Sequence, residues 1–244
     1  MPLRLLLLLM CLCIGSALRA EEVLRIAADR WPPYADQGLP GNGVAVDMVR
    51  AALKRAGFAS AYIEVPWPRV LHGVKNGEYD LVADAWYTPE REVYGEYSEP
   101  YLINRVRLIK RRGSSITFTR LADLYPYRIA VVRGYSYSAD FNNDPQLQRV
   151  PVFSFVNAAM MLQVGRVDLT LEDEITARHH FNGDLAEVKE QLEFLPVPLA
   201  ENGLRILVSR HNPRHAEIVA AFDKAIREMK ADGSYDALMR EHGL

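Results

Sequence analysis

Asp-Ala-Trp-Tyr-Thr-Pro-Glu-Arg-Glu, residues 84–92, decides how this chain is read. It is entered from an apolar run over residues 79–85 that has the composition of a β-strand, and it passes two large aromatics and a Thr-Pro turn to reach an arginine between two glutamates. A packed core has no use for that arginine, and a plain surface turn has none for Trp86 beside Tyr87. The edge of a binding cleft uses both. Toward the N-terminus, residues 24–27 read as a strand, 45–56 as a helix with Val49, Ala52, Leu53 and Ala56 on one face, 62–65 as a second strand and 68–76 as a short helix. Gly57 supplies the C-terminal stop of the longer helix. The order β-α-β-α-β predicts an α/β fold, a largely parallel sheet with flanking helices.

Ligands of open α/β sheets sit outside the carboxyl ends of the strands. Those ends read Asp-Arg-Trp-Pro-Pro-Tyr after Ala28, Pro-Trp-Pro-Arg after Val65 and Asp-Ala-Trp-Tyr-Thr-Pro-Glu-Arg after Ala83. Each carries a tryptophan, and Trp31, Trp67 and Trp86 are the chain's three. A lone tryptophan usually caps a core. Three at equivalent strand ends point to the lining of a cleft.

A long strand over 105–111 leads into a second series of elements. Residues 128–132 form a strand ending in Arg133-Gly-Tyr-Ser136, 156–164 a helix, and 167–171 a strand ending in Glu172-Asp-Glu174. Residues 192–199 read as extended and 204–209 as a further strand; 213–231 form a helix with Ile218, Phe222, Ile226 and Met229 inward, and a short helix starts at Ser234. Two α/β units joined by extended strands predict two lobes with a cleft between them.

The first 20 residues carry one early arginine, an apolar run from Leu5 to Ile14 and small residues up to Ala20, the layout of a secretory signal peptide. The run is too short to span a membrane. Both cysteines, Cys11 and Cys13, fall inside it, so the mature chain is expected to have no disulfide, thiol nucleophile or cysteine-based metal site. Taking Arg4 and Arg19 from the 29 basic side chains leaves 27 against 31 acidic ones, and the only basic run is the short Lys110-Arg-Arg112. Nucleic acid is therefore not an expected partner. The His179-His180 pair and the His211/His215 pair lack a third ligand for a metal, and neither a Gly-x-Ser-x-Gly nor a phosphate loop is present.

Trp31-Pro-Pro-Tyr34, the segment 43–47 leading into a helix, Asn76-Gly-Glu-Tyr-Asp80, Thr88-Pro-Glu-Arg91, Tyr97-Ser-Glu-Pro-Tyr101, Gly165-Arg-Val-Asp168 and Asp232-Gly-Ser-Tyr235 occur in an order and spacing that resemble the family 3 extracellular solute-binding proteins. These are the periplasmic amino-acid receptors of ABC importers. The likeness covers residues 22–244 and implies a two-lobed Venus-flytrap, the type II periplasmic-binding-protein fold. Residues 21–105 with 206–244 would form one lobe and 106–205 the other, with strands crossing near Arg105 and Leu204 and hinge closure around the ligand. It further implies a monomeric periplasmic receptor without a cofactor that captures a small amino-acid-like molecule and hands it to an inner-membrane ABC permease.

Carried over residue by residue, the resemblance makes Arg91 the clamp on the ligand α-carboxylate, a role that suits the planar guanidinium fork. The competing use, a surface pair with Glu90, Glu92 or Glu96, is energetically weak. The ammonium-binding acid of the second lobe maps onto Asp173, which at a strand-to-helix junction is equally placed to cap the following helix. Trp31 and Trp67 fall where the family stacks the ligand side chain between rings, an arrangement suited to a flat or cationic group. Asp47 also matches a family acid, but its place at a helix start suits a structural role.

The departures bear on the ligand. Small hydroxyl residues usual seven and five positions before the clamp are Asp84 and Trp86 here, and the Gly-Thr-Thr of the second lobe is Gly134-Tyr135-Ser136. A buried carboxylate needs a partner, so Asp84 calls either for Arg91 or for a cationic group on the ligand. Basic or modified amino acids and related amines thus fit as well as a plain amino acid. Two other function classes share the scaffold. Cyclohexadienyl dehydratases place a catalytic glutamate three residues after the second-lobe aspartate, where this chain has Thr176; a membrane sensor's domain would continue into a spanning helix and an output domain that the residues up to Leu244 do not contain. Presentation of a ligand to a separate sensor is compatible with the sequence.

Overall fold

The computed structural model describes residues 23–244; the expected signal segment, with both cysteines, lies outside them. The chain opens with β1 (Leu24–Ala28), α1 (Val44–Arg55), β2 (Ser60–Glu64), α2 (Trp67–Lys75) and β3 (Leu81–Trp86), followed by the short β4 (Gly95–Tyr97). β5 (Leu102–Arg111) leads into β6 (Arg128–Val132), α3 (Ala139–Asn143), β7 (Gln148–Val152), α4 (Phe155–Gln163), β8 (Leu169–Asp173) and α5 (Glu174–Asn182). The long β9 (Leu192–Ser209) returns to the first part of the sheet, and α6 (His215–Asp232) and α7 (Ser234–Glu241) close the chain.

All the strands belong to one mixed sheet in the order β2-β1-β3-β9-β5-β8-β6-β7, with β4 also on β9. β1 lies between β2 and β3 and runs parallel to both. β6 repeats that arrangement between β7 and β8. Between these parallel halves, β9 is antiparallel to β3 and to β5, and β5 is antiparallel to β8. β5 and β9 are therefore the two strands that connect the halves, paired from Leu102↔Leu204 to Arg111↔Leu192.

Helices cover the sheet, so its inner strands read as continuous apolar runs rather than as alternations. β3 is the extreme case, with all six residues buried, Asp84 among them. Its ladder with β9 passes from Val82↔Leu207 to Ala85↔Arg205, three steps on one strand against two on the other, which makes a bulge at Ala83-Asp84. Bulges bend a strand and re-aim one side chain. On the first half, α1 buries Val44, Met48, Val49 and Leu53, and α6 adds Ile218 and Phe222 to the same cluster. The fully buried Phe222 meets Tyr101 edge to face at 5.7 Å and stabilises this half by roughly 1.5–3 kcal/mol. A separate cluster built on Val132, Phe155, Leu162 and Leu185 fills the second half.

Two expectations need correction. Residues 192–199 and 204–209 are one strand rather than two, because Ala200 to Gly203 keep pairing with Val106 to Ile103; the turn-forming Asn202-Gly203 yields to the partner strand. The sequence pattern also passed over β4, α3 and β7. β7 contains Pro151, which normally argues against a strand, but β7 lies at the edge of the sheet, where a missing N–H donor is tolerated.

Candidate functional site

The carboxyl ends of β1, β2 and β3 in the first half face the carboxyl ends of β6 and β8 in the second. Here Asp29, Trp31, Trp67, Asp84, Trp86, Arg91, Tyr135 and Ser136 line one cavity. Seven of the eight residues singled out from sequence are among them; Asp173 is not. The space enclosed is about 20 Å³, enough for a single water and not for an amino acid.

Hydrogen bonds join the two halves around this cavity. The Trp67 indole Nε1 and the Arg91 Nη2 both donate to the carbonyl oxygen of Gly134, at 3.1 and 3.0 Å. Gly134 has φ +77°, a conformation favourable only to glycine, and a Cβ there would lie 3.3 Å from the Trp67 ring. The Tyr135 hydroxyl donates to Asp29 Oδ2 at 3.2 Å, Trp31 Nε1 to Glu172 Oε1 at 3.2 Å and the Tyr34 hydroxyl to Asp173 Oδ1 at 3.1 Å.

Arg91 sits in a short 3-10 turn, Pro89–Val93, whose proline favours that start and whose first backbone bond runs from Arg91 N to Thr88 O. It is only 6% exposed. Its Nη1 donates to Trp86 O at 3.0 Å, and its guanidinium lies 5.2 Å from the centre of the Trp67 ring. Among the described residues no carboxylate lies within ion-pair distance of it, so the surface pairing with Glu90, Glu92 or Glu96 is not formed. Glu96 instead meets Arg210 and His215.

Asp84 is the counterpart. The bulge in β3 leaves its carboxyl 5% exposed, with no hydrogen-bond partner on either oxygen. Burial, reinforced by the nearby Asp29 carboxyl, pushes it well above the ordinary carboxylate range. Asp29 is itself pushed up to about 7, by burial against the lowering effect of the Tyr135 hydroxyl. Glu172, 1% exposed at the end of β8, rises to about 8, again mainly through burial. Burial thus disfavours the charged form of all three acids, and a cation placed beside them would favour it.

Asp173 has a different task. Its Oδ1 caps α5 by accepting from Ile175 N and Thr176 N and also takes the Tyr34 hydroxyl, while Oδ2 accepts from Asn104 Nδ2 and Arg105 N. With five donors on a carboxylate that is 1% exposed, no lone pair is left for a ligand ammonium in this arrangement. Its carboxyl is raised by burial, and the donors offset part of that shift.

The tryptophans serve the core and the cavity together. Trp31 and Trp86 belong to the largest apolar cluster and Trp67 to the one beneath α2. Trp31 meets Trp86 edge to face at 5.4 Å, Trp86 meets Tyr135 at 5.9 Å and Tyr135 meets Trp67 at 6.0 Å, a chain of rings around the cavity. Trp86 Nε1 is held by Asn104 Oδ1 at 2.9 Å, on connecting strand β5. Ser136 accepts from Asn142 Nδ2 at 2.9 Å.

Sequence reasoning missed Asp29 and Glu172. Both stand beside residues that were singled out, Asp29 at the end of β1 just before Trp31 and Glu172 just before Asp173. An acid at the carboxyl end of a buried strand was the available signal. Asp47, by contrast, lies away from the cavity and meets His242 Nε2 at 3.0 Å. Among the described residues no group of three or more His, Cys, Asp or Glu is placed to hold a metal, and no helix is long and apolar enough to cross a membrane.

Residues 24–244 match the family model of the bacterial extracellular solute-binding proteins, family 3. The lysine/arginine/ornithine-binding periplasmic protein of Escherichia coli K12 is 24% identical over 237 residues, 91% of this chain and 87% of that one. ArgBP from T. maritima superposes with a TM-score of 0.73 at 21% identity, over 90% of this chain and 93% of that one. A histidine kinase sensor domain with similarity to periplasmic binding proteins gives 0.77 at 20% identity, over 91% and 96%. The structural likenesses bear out the expected α/β, two-lobed periplasmic-binding-protein fold, and the match along nearly the whole described chain goes further than fold. This chain belongs to family 3 of the bacterial extracellular solute-binding proteins.

Proposed function

We propose that the protein is a periplasmic receptor that captures an amino-acid-like ligand carrying a basic or amine group and delivers it, unaltered, to an ABC-type importer of the inner membrane. The observation that supports this reading is the unmatched pair in one cavity: Arg91, buried with carbonyl oxygens but, among the described residues, no carboxylate on its donors, and Asp84, buried with no hydrogen-bond partner on either carboxyl oxygen. An amino acid brings the two missing charges. Its carboxylate replaces Gly134 O on the guanidinium fork, and its ammonium or side-chain cation takes Asp84, with Asp29 beside it, where the family resemblance alone would have used Asp173. Trp31, Trp67 and Trp86 wall the ligand, and Tyr135 and Ser136 offer hydroxyls. The Escherichia coli relative is a lysine/arginine/ornithine-binding protein, and those amino acids are of the same chemical class.

In this reading residues 21–105 with 206–244 form one lobe and 106–205 the other, and β5 and β9 carry the hinge. The arrangement described here is a closed one, so the lobes must part to admit a ligand. A thermal-shift panel of amino acids and amines tests the proposal: a ligand at ~100 times its dissociation constant adds about 2.7 kcal/mol to stability. Arg91→Ala is expected to abolish the shift for carboxylate-bearing ligands. Unchanged binding in that variant removes the clamp, and turnover of a stabilising compound would replace the receptor by an enzyme.

A further inference from the structure

The cavity at Arg91 and Asp84 shares walls with a larger neighbour. Asp29, Trp31, Trp67 and Tyr135, which line it, also line an adjoining cleft of about 780 Å³. That volume is in the range of sites that enclose whole small molecules, whereas the inner cavity has room for one water. The cleft is built by both halves of the sheet. One wall carries Trp31, Trp67 and the flanking prolines Pro32, Pro66 and Pro68; the other carries Phe153, Phe155, Thr176 and His180. These walls suit a flat apolar ring, and polar groups stand among them. Glu172 is 1% exposed, and Thr176 is fully buried with no partner on its hydroxyl. His180 is 8% exposed, and its Nδ1 lies 3.4 Å from Asp184 Oδ2 without a hydrogen bond. Thr176 and His180 are one turn apart on α5, on the same face. A buried hydroxyl without a partner is costly in a native fold and calls for an explanation.

We propose that this cleft is a second ligand subsite, and that the ligand is an amino-acid amine extended to dipeptide size by an aromatic residue. Its head group occupies the Arg91–Asp84 end, its ring lies between the tryptophan-proline wall and the phenylalanines, and an amide group of the extension meets Thr176 and His180. The inference rests on the amino-acid receptor reading and names the ligand of that same site.

Titration calorimetry on the mature chain decides it, with lysine, arginine and histidine as head-group probes and phenylalanyl-lysine, phenylalanyl-arginine and phenylalanyl-histidine, which keep the head group's α-carboxylate and side-chain cation free, as extended ones. At least one dipeptide is expected to bind tenfold or more tightly than its parent amino acid. Thr176→Val keeps the side-chain shape and removes a hydroxyl that has no partner in the fold, and Phe153→Ala changes a residue that is 80% exposed, so both variants should fold. Each should reduce dipeptide affinity threefold or more and leave the parent amino acid's affinity unchanged. Amino acids binding as tightly as their dipeptides, or variants that alter both equally or neither, would overturn the second subsite while leaving the receptor reading intact. Absence of binding by every probe would overturn both.

Discussion

Replacing Asp84 by asparagine tests the central electrostatic argument. The carboxyl is buried without a hydrogen-bond partner, and burial followed by Asp29 raises it well above the ordinary range. An acid raised by folding keeps its proton in the folded chain after the unfolded chain, at about pH 4, has released it. Stability is thus highest in acid and falls as pH climbs from the unfolded value toward the folded one, because the folded state binds more protons over that window. One proton's difference corresponds to a slope of at most about 1.4 kcal/mol per pH unit, so the ligand-free wild type should lose stability steadily as the pH rises above the unfolded value on account of this group. Asparagine has nearly the same shape and does not titrate. Urea denaturation of both proteins at half-unit steps from pH 4 to 8 should show equal stabilities near pH 4 and an advantage for Asp84→Asn that widens with pH. Asp29, held at about 7 chiefly by its own burial, leaves a slope of the same sign in the variant. Parallel curves for the two proteins would refute the reasoning, since an Asp84 carboxyl that is paired or hydrated makes no such difference.

Asp173→Ala removes five hydrogen bonds, the α5 cap among them, and should lower stability by about 2–4 kcal/mol by urea unfolding; an affinity loss at unchanged stability would return Asp173 to the ligand. Gly134→Ala forces an L side chain into φ +77° and against Trp67, and its expected cost is about 1–2 kcal/mol in the same assay. Wild-type stability in that variant would mean that the Gly134 loop relaxes without loss of the Arg91 and Trp67 contacts.

The alternation of elements was legible because each strand and helix states its own periodicity. β3 announces itself by an apolar run, and α1 and α6 by their inward faces. The three tryptophans and Arg91 were legible as a set because the carboxyl ends of parallel strands converge whatever their side chains. β9 was cut in two because Asn202-Gly203 has turn chemistry locally, and only its pairing with Ile103 and Asn104 keeps it extended. Asp29 and Glu172 went unnoticed for a related reason: an acid at a strand end is ordinary until another lobe buries it.

Local chemistry, written residue by residue, was enough to specify an α/β chain of family 3 type with aromatics and the Arg91 turn at its strand ends. What those residues do to one another depended on long-range contact. The bulge that turns Asp84 inward is set by its register with β9, and the Gly134 carbonyl that occupies Arg91 comes from 43 positions away. Asp173 is a saturated cap rather than an open carboxylate because Tyr34, from the turn after β1, and Asn104 and Arg105, from β5, add their donors to the local ones of Ile175 and Thr176. Burial and hydrogen-bond saturation are properties of the surroundings, and the surroundings exist only once the two halves of the sheet have met.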